Sequence, residues 1–353
     1  MARKFPLPIK LFYKLFRVYR MKIGIIGVNF KSADLFFREK LALSLQVSSP
    51  LFSALNHSKV ILSTCNRFEI YFFSENLTET HSELLQKFRA EFESDCGFKL
   101  YSYFGQDCFS HLCRVTAGLD SAVLVETEIQ GQVKRAYLKA QETPLAKELH
   151  FIFQKSLKIG KSIRSQIFLK PGAPNLVNTL SNLLKSLLDC NSKPKLLFVG
   201  TSQINTQVIQ QTNLNLFDVT ICSRSLDRGK KFSEKLGICF ISWEELYSWK
   251  NYDGVIFASS YPNYIIEKKE SQVNQEKLIL DLSVPRNVHP QLAENPLIQL
   301  LNIDQLNKLI RRYRRIKGEE LIDATSQIQT AVLRQCRIFM DKTRSIEKTR
   351  SIV

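Results

Sequence analysis

Apolar positions in the first half of the chain follow two periods. Residues 22–30 and two runs within residues 60–73 form short apolar stretches, and the second run alternates its side chains as a β-strand does. Residues 38–46 and most of residues 81–165 instead repeat apolar side chains at helical spacing. A sheet followed by several helices is typical of an α+β domain, which we place at residues 21–165.

A second pattern begins after the sequence LKPGAPN at residues 169–175, where two prolines and a glycine interrupt the periodicity. Beyond it, nearly continuous apolar runs alternate with helical segments, which is typical of a doubly wound parallel sheet. We predict strands at residues 193–200, 218–224, 252–260, 277–285 and 300–304. The second domain is therefore placed at residues 166–303, and the predicted fold class is α/β multidomain.

From residue 305 onward the apolar positions keep helical spacing over a long stretch. We predict a long helix within residues 304–353 that leads away from both domains and ends in the tandem repeat KTRSIEKTRSIV. The cluster RRYRR concentrates guanidinium groups at Arg311, Arg312, Arg314 and Arg315. Because like charges repel, such a cluster favours contact with acidic residues of a second subunit or with a nucleic-acid backbone.

Composition adds a charge imbalance to this picture. The 353 residues are 44% hydrophobic and 24% charged, an ordinary globular balance, but 50 Lys and Arg against 33 Asp and Glu leave a net charge of +17. This surplus favours a polyanionic partner, either nucleic acid or an acidic membrane surface, unless it reflects a generally basic proteome. Residues 1–20 are basic with interleaved Leu, Phe and Tyr, and form either a surface-binding amphipathic helix or an extension upstream of a true start at Met21.

The number and spacing of cysteines and histidines indicate the redox compartment of the protein and whether it has a metal site. The 8 cysteines contain no CxxC pair, and the 5 histidines are scattered along the chain. Scattered thiols in a chain of this length favour a reducing compartment, and no apolar run approaches the length that crosses a bilayer. We therefore predict a cytoplasmic protein without membrane association and without a metal site.

The start of the second domain has the pattern of a dinucleotide site. The predicted strand ends at Gly200 and is followed by a polar turn and a helix, an arrangement that binds a pyrophosphate at the helix N-terminus. Of the fingerprint G-x-G-x-x-G, this chain keeps only the first glycine. The candidate cofactor contacts in this loop are Gly200, Thr201, Ser202, Gln203, Ile204 and Asn205.

The next predicted strand bears on the choice of cofactor. Ser223-Arg224-Ser225 follows it, at the place where an NAD site carries an acidic residue for the ribose hydroxyl. A guanidinium with neighbouring hydroxyls suits a 2′-phosphate, so Arg224 favours NADPH. The alternative is that Arg224 is a solvated charge at the end of a strand.

Cys65 is the candidate nucleophile. It lies in LSTCNRFEIYFF, residues 62–73, in a polar bend between two apolar runs. Arg67 either lowers the pKa of this thiol or binds a substrate carboxylate; alternatively, Cys65 is a small buried side chain without chemistry. Further polar groups gather in residues 108–137, namely His111, Ser121, Glu126, Glu128 and Gln132. A thiol, an imidazole and a nicotinamide together indicate acyl transfer to sulfur followed by hydride reduction of the thioester.

Four blocks of the chain resemble the glutamyl-tRNA reductase family, in order from about Met21 to the long helix: STCNRFEIY, GLDSAVLVETEIQGQVKRAY, FQKSLKIGKSIRS and LDLSVPRNV. The resemblance implies a catalytic domain, an NADPH domain and a long spinal helix leading to a dimerisation region. It also implies NADPH-dependent reduction of glutamyl-tRNA(Glu) to glutamate 1-semialdehyde, which opens the five-carbon route to 5-aminolevulinate and tetrapyrroles. The implied partners are glutamyl-tRNA(Glu), a second copy of the chain in a homodimer, and the downstream semialdehyde aminotransferase.

The resemblance also implies roles for individual residues. Cys65 is expected to form the thioester, and His111 to donate a proton or to orient the ester. Thr64, Asn66 and Arg67 are expected to hold the glutamate. The remaining implied substrate contacts are Ser121, Glu126, Thr127, Glu128 and Gln132.

Three features depart from the family pattern. Glu126-Thr127-Glu128 replaces Glu-Pro-Gln, which loosens a turn and adds a charge near a carboxylate substrate. Side chains at Ser202 and Asn205 are expected to keep the phosphate loop farther from a pyrophosphate, and the short region after the long helix predicts a weak dimer. Two alternative functions stay open: a catalytically degenerate relative that binds tRNA or regulates heme synthesis, and an NADP-dependent dehydrogenase of a small acid.

Overall fold

The computed structural model describes residues 21–46, 57–92, 99–121, 128–167, 176–189, 193–313 and 318–350. They form an antiparallel sheet with helices on both faces, a six-stranded parallel sheet with its own helices, and a helical C-terminal region. The predicted α/β multidomain class is confirmed. The basic segment 1–20 lies outside the described residues.

The antiparallel sheet positions the candidate cysteine. Its strands are β1 (Ile23–Asn29), β2 (Lys59–Thr64), β3 (Arg67–Phe73) and β4 (Tyr101–Phe104), in the spatial order β2-β3-β1-β4. β1 is buried along its whole length and β3 along nearly all of it, so both faces of the sheet are covered. β4 is absent from the predicted elements because its short run lies in an interval whose apolar spacing is mostly helical.

Helices pack on both faces of this sheet. They are α1 (Leu35–Gln46), α2 (Leu77–Phe92), α3 (Gly105–Ala117), α4 (Glu128–Ala140) and α5 (Lys147–Ile167). On one face, Phe37 of α1 and Phe88 of α2 pack with Val28 and Phe68 of the sheet. On the other face, α3, α4 and α5 form a separate apolar core. We call this unit the antiparallel-sheet domain.

The parallel sheet has the topology of a dinucleotide-binding domain. Its strands are β5 (Lys195–Val199), β6 (Asp218–Cys222), β7 (Cys239–Ile241), β8 (Gly254–Phe257), β9 (Lys277–Asp281) and β10 (Ile298–Asn302). All neighbours are parallel, in the order β7-β6-β5-β8-β9-β10. The strand order therefore reverses between β5 and β8, the switch point at which doubly wound sheets bind ligands. The predicted doubly wound sheet is confirmed, with β7 as an additional short strand.

Helices and 3₁₀ segments cover the two faces of this sheet, and we call the unit the parallel-sheet domain. Its helices are α6 (Leu176–Lys185), α7 (Gln203–Gln211) and α8 (Leu226–Leu236). The 3₁₀ segments are Ser186–Asp189, Glu244–Asn251, Lys268–Glu270 and Pro290–Glu294. Because both faces are buried, the strands read as continuous apolar runs rather than as alternating ones.

The C-terminal region contains α9 (Ile303–Tyr313) and the 33-residue helix α10 (Gly318–Arg350). α9 packs Leu306 into the parallel-sheet domain. α10 buries Ile328 and Val332 in the core of the antiparallel-sheet domain, beside α3 and α5. The long C-terminal helix is confirmed, but the expectation that it leads away from both domains is wrong here, because its apolar stripe packs on the first domain.

Two remaining expectations concern the surface. The side chains of the RRYRR cluster lie outside the described residues. Within the described ranges, each helix is too short or too polar to cross a bilayer.

Candidate active site

A cleft of about 560 Å³ lies between the two domains at the carboxyl ends of the parallel strands. The antiparallel-sheet domain lines it with Cys65, Glu128 and Gln132. The parallel-sheet domain lines it with the Gly200 loop, with residues that follow β6 and β8, and with the loop after β9. A cavity of this size at the switch point suits a cofactor-sized ligand.

Cys65 lies at the tip of a β-hairpin. Thr64 pairs with Arg67 across the two strands, so Cys65 and Asn66 are the two turn residues. The Thr64 hydroxyl accepts hydrogen bonds from the backbone N–H groups of Asn66 and Arg67, each at 3.2 Å. These bonds explain the polar bend between two apolar runs, because the turn needs a local acceptor. The half-buried Cys65 thus projects from a stiffened turn into the cleft.

Arg67 points away from the cleft, into its own domain. Its side chain is 1% exposed, with Nη1 donating to Glu69 Oε1 at 2.6 Å and Nη2 to the Asp120 carbonyl at 2.5 Å. Burial alone would lower the pKa of Arg67, but the adjacent Glu69 carboxylate outweighs it and raises the pKa. The placement favours a structural role behind the hairpin over the predicted direct contact with a substrate carboxylate.

Glu69 is the centre of a buried polar network that the sequence analysis did not predict. It is fully buried, and its carboxylate accepts from Tyr101 at 2.6 Å and Tyr71 at 2.7 Å as well as from Arg67 and His111. Burial would raise the pKa of this carboxyl, but the Arg67 guanidinium and His111 hold it well below that of an exposed glutamate. The signal in the sequence was a carboxylate between apolar residues in the interior of a strand that begins with Arg67.

His111 belongs to the same buried network. Its Nε2 lies 2.9 Å from Glu69 Oε1, and its ring stacks on Tyr103 with centroids 4.9 Å apart. Its Nδ1 lies 3.7 Å from Asp120 Oδ2. His111 is 2% exposed and is not among the described residues that line the cleft. The interior placement favours a role in holding the Glu69 network over the predicted proton donation to the ester.

The other predicted substrate contacts divide into three groups. Glu126 and Thr127 lie outside the described residues. Ser121 is buried, and its hydroxyl has no hydrogen-bond partner within the described part of the chain. Glu128 and Gln132 are one helical turn apart on α4, which places both at the cleft. Burial raises the pKa of Glu128 above that of an exposed glutamate.

Gly200 is required by the shape of the phosphate loop. Its φ is +98°, and a Cβ added there would lie 2.6 Å from the Ala258 carbonyl oxygen. Ser202 caps α7 by accepting from the backbone N–H of Asn205 at 3.3 Å. Thr201, Ser202 and Ile204 line the cleft together with Gly200.

Two predicted cofactor contacts in this loop are not at the cleft. Gln203 is exposed and Asn205 is fully buried, and neither lines the described cleft. The Asn205 amide donates to the carbonyls of Val199 at 3.2 Å and Gly200 at 2.8 Å. The expectation that this side chain holds the backbone away from a pyrophosphate is therefore wrong, because the amide turns inward and ties the loop to the end of β5.

Cationic side chains gather where β6 ends. Arg224 lines the cleft, and its guanidinium lies 5.4 Å from the centre of the Tyr261 ring. Arg228, in the first turn of α8, also lines the cleft, and the sequence analysis did not predict it as a cofactor contact. The glycine cradle, two guanidinium groups and the hydroxyls of Ser223 and Ser225 fit a dinucleotide cofactor.

The described residues contain no cluster of three or more His, Cys, Asp or Glu side chains suited to a metal ion. The fold and the cleft together define a class of oxidoreductase, in which a dinucleotide-binding sheet faces a cysteine on a separate domain. Two family models match the chain: glutamyl-tRNAGlu reductase, N-terminal domain, over residues 26–167, and shikimate/quinate 5-dehydrogenase over residues 182–309.

Relatives identify the family. A glutamyl-tRNA reductase of Chlamydia caviae is 35% identical over 311 residues, covering 83% of this chain and 86% of the relative. One of Chlamydia abortus is 32% identical over 345 residues, covering 92% and 96%. A solved glutamyl-tRNA reductase from Methanopyrus kandleri is 20% identical, covers 93% of this chain and 82% of that structure, and has a TM-score of 0.46. The chain belongs to the glutamyl-tRNA reductase family, as the sequence blocks predicted.

Proposed function

We propose that this protein reduces glutamyl-tRNA(Glu) to glutamate 1-semialdehyde with NADPH and releases tRNA(Glu), the first step of the five-carbon route to 5-aminolevulinate and tetrapyrroles. The observation that carries the proposal is the position of Cys65 on a stiffened hairpin tip, lining the same cleft as the Gly200 loop. Membership of the glutamyl-tRNA reductase family supplies the substrate class.

The chemistry is assigned to Cys65. Its thiolate attacks the carbonyl carbon of the aminoacyl ester, a C–S bond forms, and the C–O bond to the terminal ribose breaks. The tRNA leaves with a proton, and glutamate remains as a thioester. NADPH held at the Gly200 loop would supply a hydride to this carbon. The C–S bond would then break, so that glutamate 1-semialdehyde leaves and the Cys65 thiolate regains a proton from water.

The residues around Cys65 divide between shaping the turn and contacting substrate. Thr64 and Asn66 shape the turn, and Arg67 with His111 holds it from behind through Glu69. The substrate contacts that we propose are Ser121, Glu126, Thr127, Glu128 and Gln132.

The cofactor contacts follow from the lining of the cleft. Gly200, Thr201 and Ser202 are proposed to hold the pyrophosphate, and Arg224 with Arg228 the 2′-phosphate. The net charge of +17 suits the tRNA backbone as a partner. We further propose a weak homodimer along the long helix and contact with the semialdehyde aminotransferase.

The test is incubation of the natural protein and Cys65→Ser with charged tRNA(Glu) and NADPH. The natural protein should form a glutamyl thioester and release semialdehyde. Cys65→Ser should bind the tRNA but form neither, because a hydroxyl lacks the reactivity of the thiol. Cys239→Ser is the matched control, since Cys239 is an exposed thiol on β7.

Other outcomes would identify the alternatives. Turnover by Cys65→Ser at nearly the natural rate would exclude the thioester mechanism. tRNA binding by the natural protein without any semialdehyde would indicate a degenerate relative, and NADPH-dependent turnover of a free small acid would indicate a different dehydrogenase.

A further inference from the structure

Two adjacent residues on α1 connect the hairpin to the parallel-sheet domain. Arg38 is 3% exposed and Glu39 is 7% exposed. Arg38 Nη1 donates to the carbonyl oxygen of Cys65 at 2.8 Å, and its Nη2 donates to Asp304 Oδ1 at 2.6 Å. One buried guanidinium therefore ties the backbone of Cys65 to the first turn of α9.

Glu39 contacts the loop that follows β9. Its carboxylate accepts from the backbone N, the Nε and the Nη2 of Arg286, each at 2.7 Å. Ser283 and Val284 in the same loop line the cleft. Glu39 thus holds one wall of the cleft through a charged pair with both side-chain and backbone donors.

The loop that Glu39 contacts is internally fixed. Asp281 accepts from the backbone N–H groups of Ser283 at 3.0 Å, Asn287 at 2.8 Å and Val288 at 2.9 Å. Because these hydrogen bonds fix the loop, a displacement of Arg286 would also displace Ser283 and Val284, which line the cleft.

A third contact reaches the other turn residue. Asn307 Nδ2 on α9 donates to Asn66 Oδ1 at 3.1 Å, and both side chains are buried. Both residues of the hairpin tip, Cys65 and Asn66, are thus bonded to groups that join them to the parallel-sheet domain.

We propose that Arg38 and Glu39 are positioning residues that set the alignment between the Cys65 turn and the cofactor cleft. The proposal rests on the proposed function, since it assigns these residues to the step after thioester formation. Neither residue lines the described cleft, so neither is assigned a contact with substrate or cofactor. Misalignment of reacting groups by about 1 Å can cost about 100-fold in rate.

The test uses Glu39→Ala, with Glu75→Ala as the matched control. Glu75 is an exposed carboxylate of the same domain that pairs with Lys22 on the surface. Glu39→Ala should not slow Cys65 thioester formation without NADPH, because that step does not use the cofactor cleft, and the later step is compared at saturating NADPH. Semialdehyde release from the preformed thioester should fall by about 10- to 100-fold. Arg286→Ala should match it, and the double variant should be no slower than either, because the two residues form one contact.

A second readout needs neither substrate nor cofactor. Cys65 packs partly against the core of the parallel-sheet domain, so loss of alignment should speed its alkylation by iodoacetamide, measured by peptide mass. Alkylation of the exposed Cys239 should not change. If Glu39→Ala fails to fold, Glu39→Gln keeps the shape and removes the charge.

The outcomes separate this proposal from the proposed function. Semialdehyde release and Cys65 alkylation equal to those of Glu75→Ala would overturn the positioning role. A natural protein that forms no thioester would overturn the proposed function, while the alkylation comparison would still decide whether Glu39 aligns the hairpin.

Discussion

Replacement of Glu69 by glutamine tests whether the hairpin depends on a buried charge. Glu69→Gln keeps the size of the side chain and an acceptor for Arg67, but it removes the carboxylate that neutralises a guanidinium only 1% exposed. Removing one partner of a buried ion pair costs about 3–5 kcal/mol. We therefore expect Glu69→Gln to destabilise the antiparallel-sheet domain by about 3 kcal/mol or more.

A second variant separates charge from hydrogen bonding. Tyr101→Phe removes a single donor to Glu69 Oε1 and leaves the ion pair in place. A typical hydrogen bond contributes about 1 kcal/mol, so this variant should cost less than Glu69→Gln. The surface variant Glu75→Gln should cost about 0–1 kcal/mol, because exposed pairs contribute little.

The assay is denaturant unfolding followed by a probe in the antiparallel-sheet domain, with thermal melting alongside. Glu69→Gln should lower the melting temperature by about 5–10 °C. The pKa of Glu69 is lowered in the folded protein, so its contribution is complete above the unfolded pKa of about 4.3 and is lost as the pH falls below it. The stability gap between natural protein and variant should therefore shrink only in acid. A gap no larger than that of Glu75→Gln at neutral pH would refute the reasoning.

The remaining predictions concern the cleft. Gly200→Ala should weaken NADPH binding in a fluorescence titration, because its Cβ would lie 2.6 Å from a carbonyl oxygen at a φ of +98°. Arg224→Glu should weaken NADPH far more than NADH, and an unchanged ratio of the two affinities would show that this charge is only solvated. Burial raises the pKa of Glu128, so its carboxyl should stay protonated to a higher pH than that of an exposed glutamate. Once ionised at higher pH, it should repel the substrate carboxylate. The KM for glutamyl-tRNA should then increase with pH, and Glu128→Gln should flatten this dependence.

The sequence pattern was sufficient to predict the elements that interactions between neighbouring residues determine. The parallel strands are continuous apolar runs because both faces of that sheet are buried. The polar bend at Cys65 is a tight turn capped by Thr64, and the turn chemistry is contained in adjacent residues. Gly200 could be predicted because a strand that ends in glycine before a helix N-terminus is how the dinucleotide fingerprint begins.

The features that were missed depend on contacts between distant parts of the chain. Glu69 is charged in a strand whose two faces are both covered, and its partner His111 lies 42 positions away. Alternation along a strand cannot reveal that a second helical layer covers the polar face. Arg38 contacts the Cys65 carbonyl, 27 positions away, and Arg286 contacts Glu39, 247 positions away and in the other domain.

The buried amide of Asn205 has a consequence for substitution at the third glycine position of the fingerprint. In the common dinucleotide loop a glycine at this position lets the helix and the strand pack closely. In this loop the Asn205 side chain is buried instead, and its amide donates to the carbonyls of Val199 and Gly200. Asn205→Gly would restore the third glycine of the fingerprint, with Ser202 still in the place of the second, but it would delete both amide hydrogen bonds and leave a gap beneath the loop. A glycine at this position would therefore weaken the loop of this chain, although it is the residue that the fingerprint prefers.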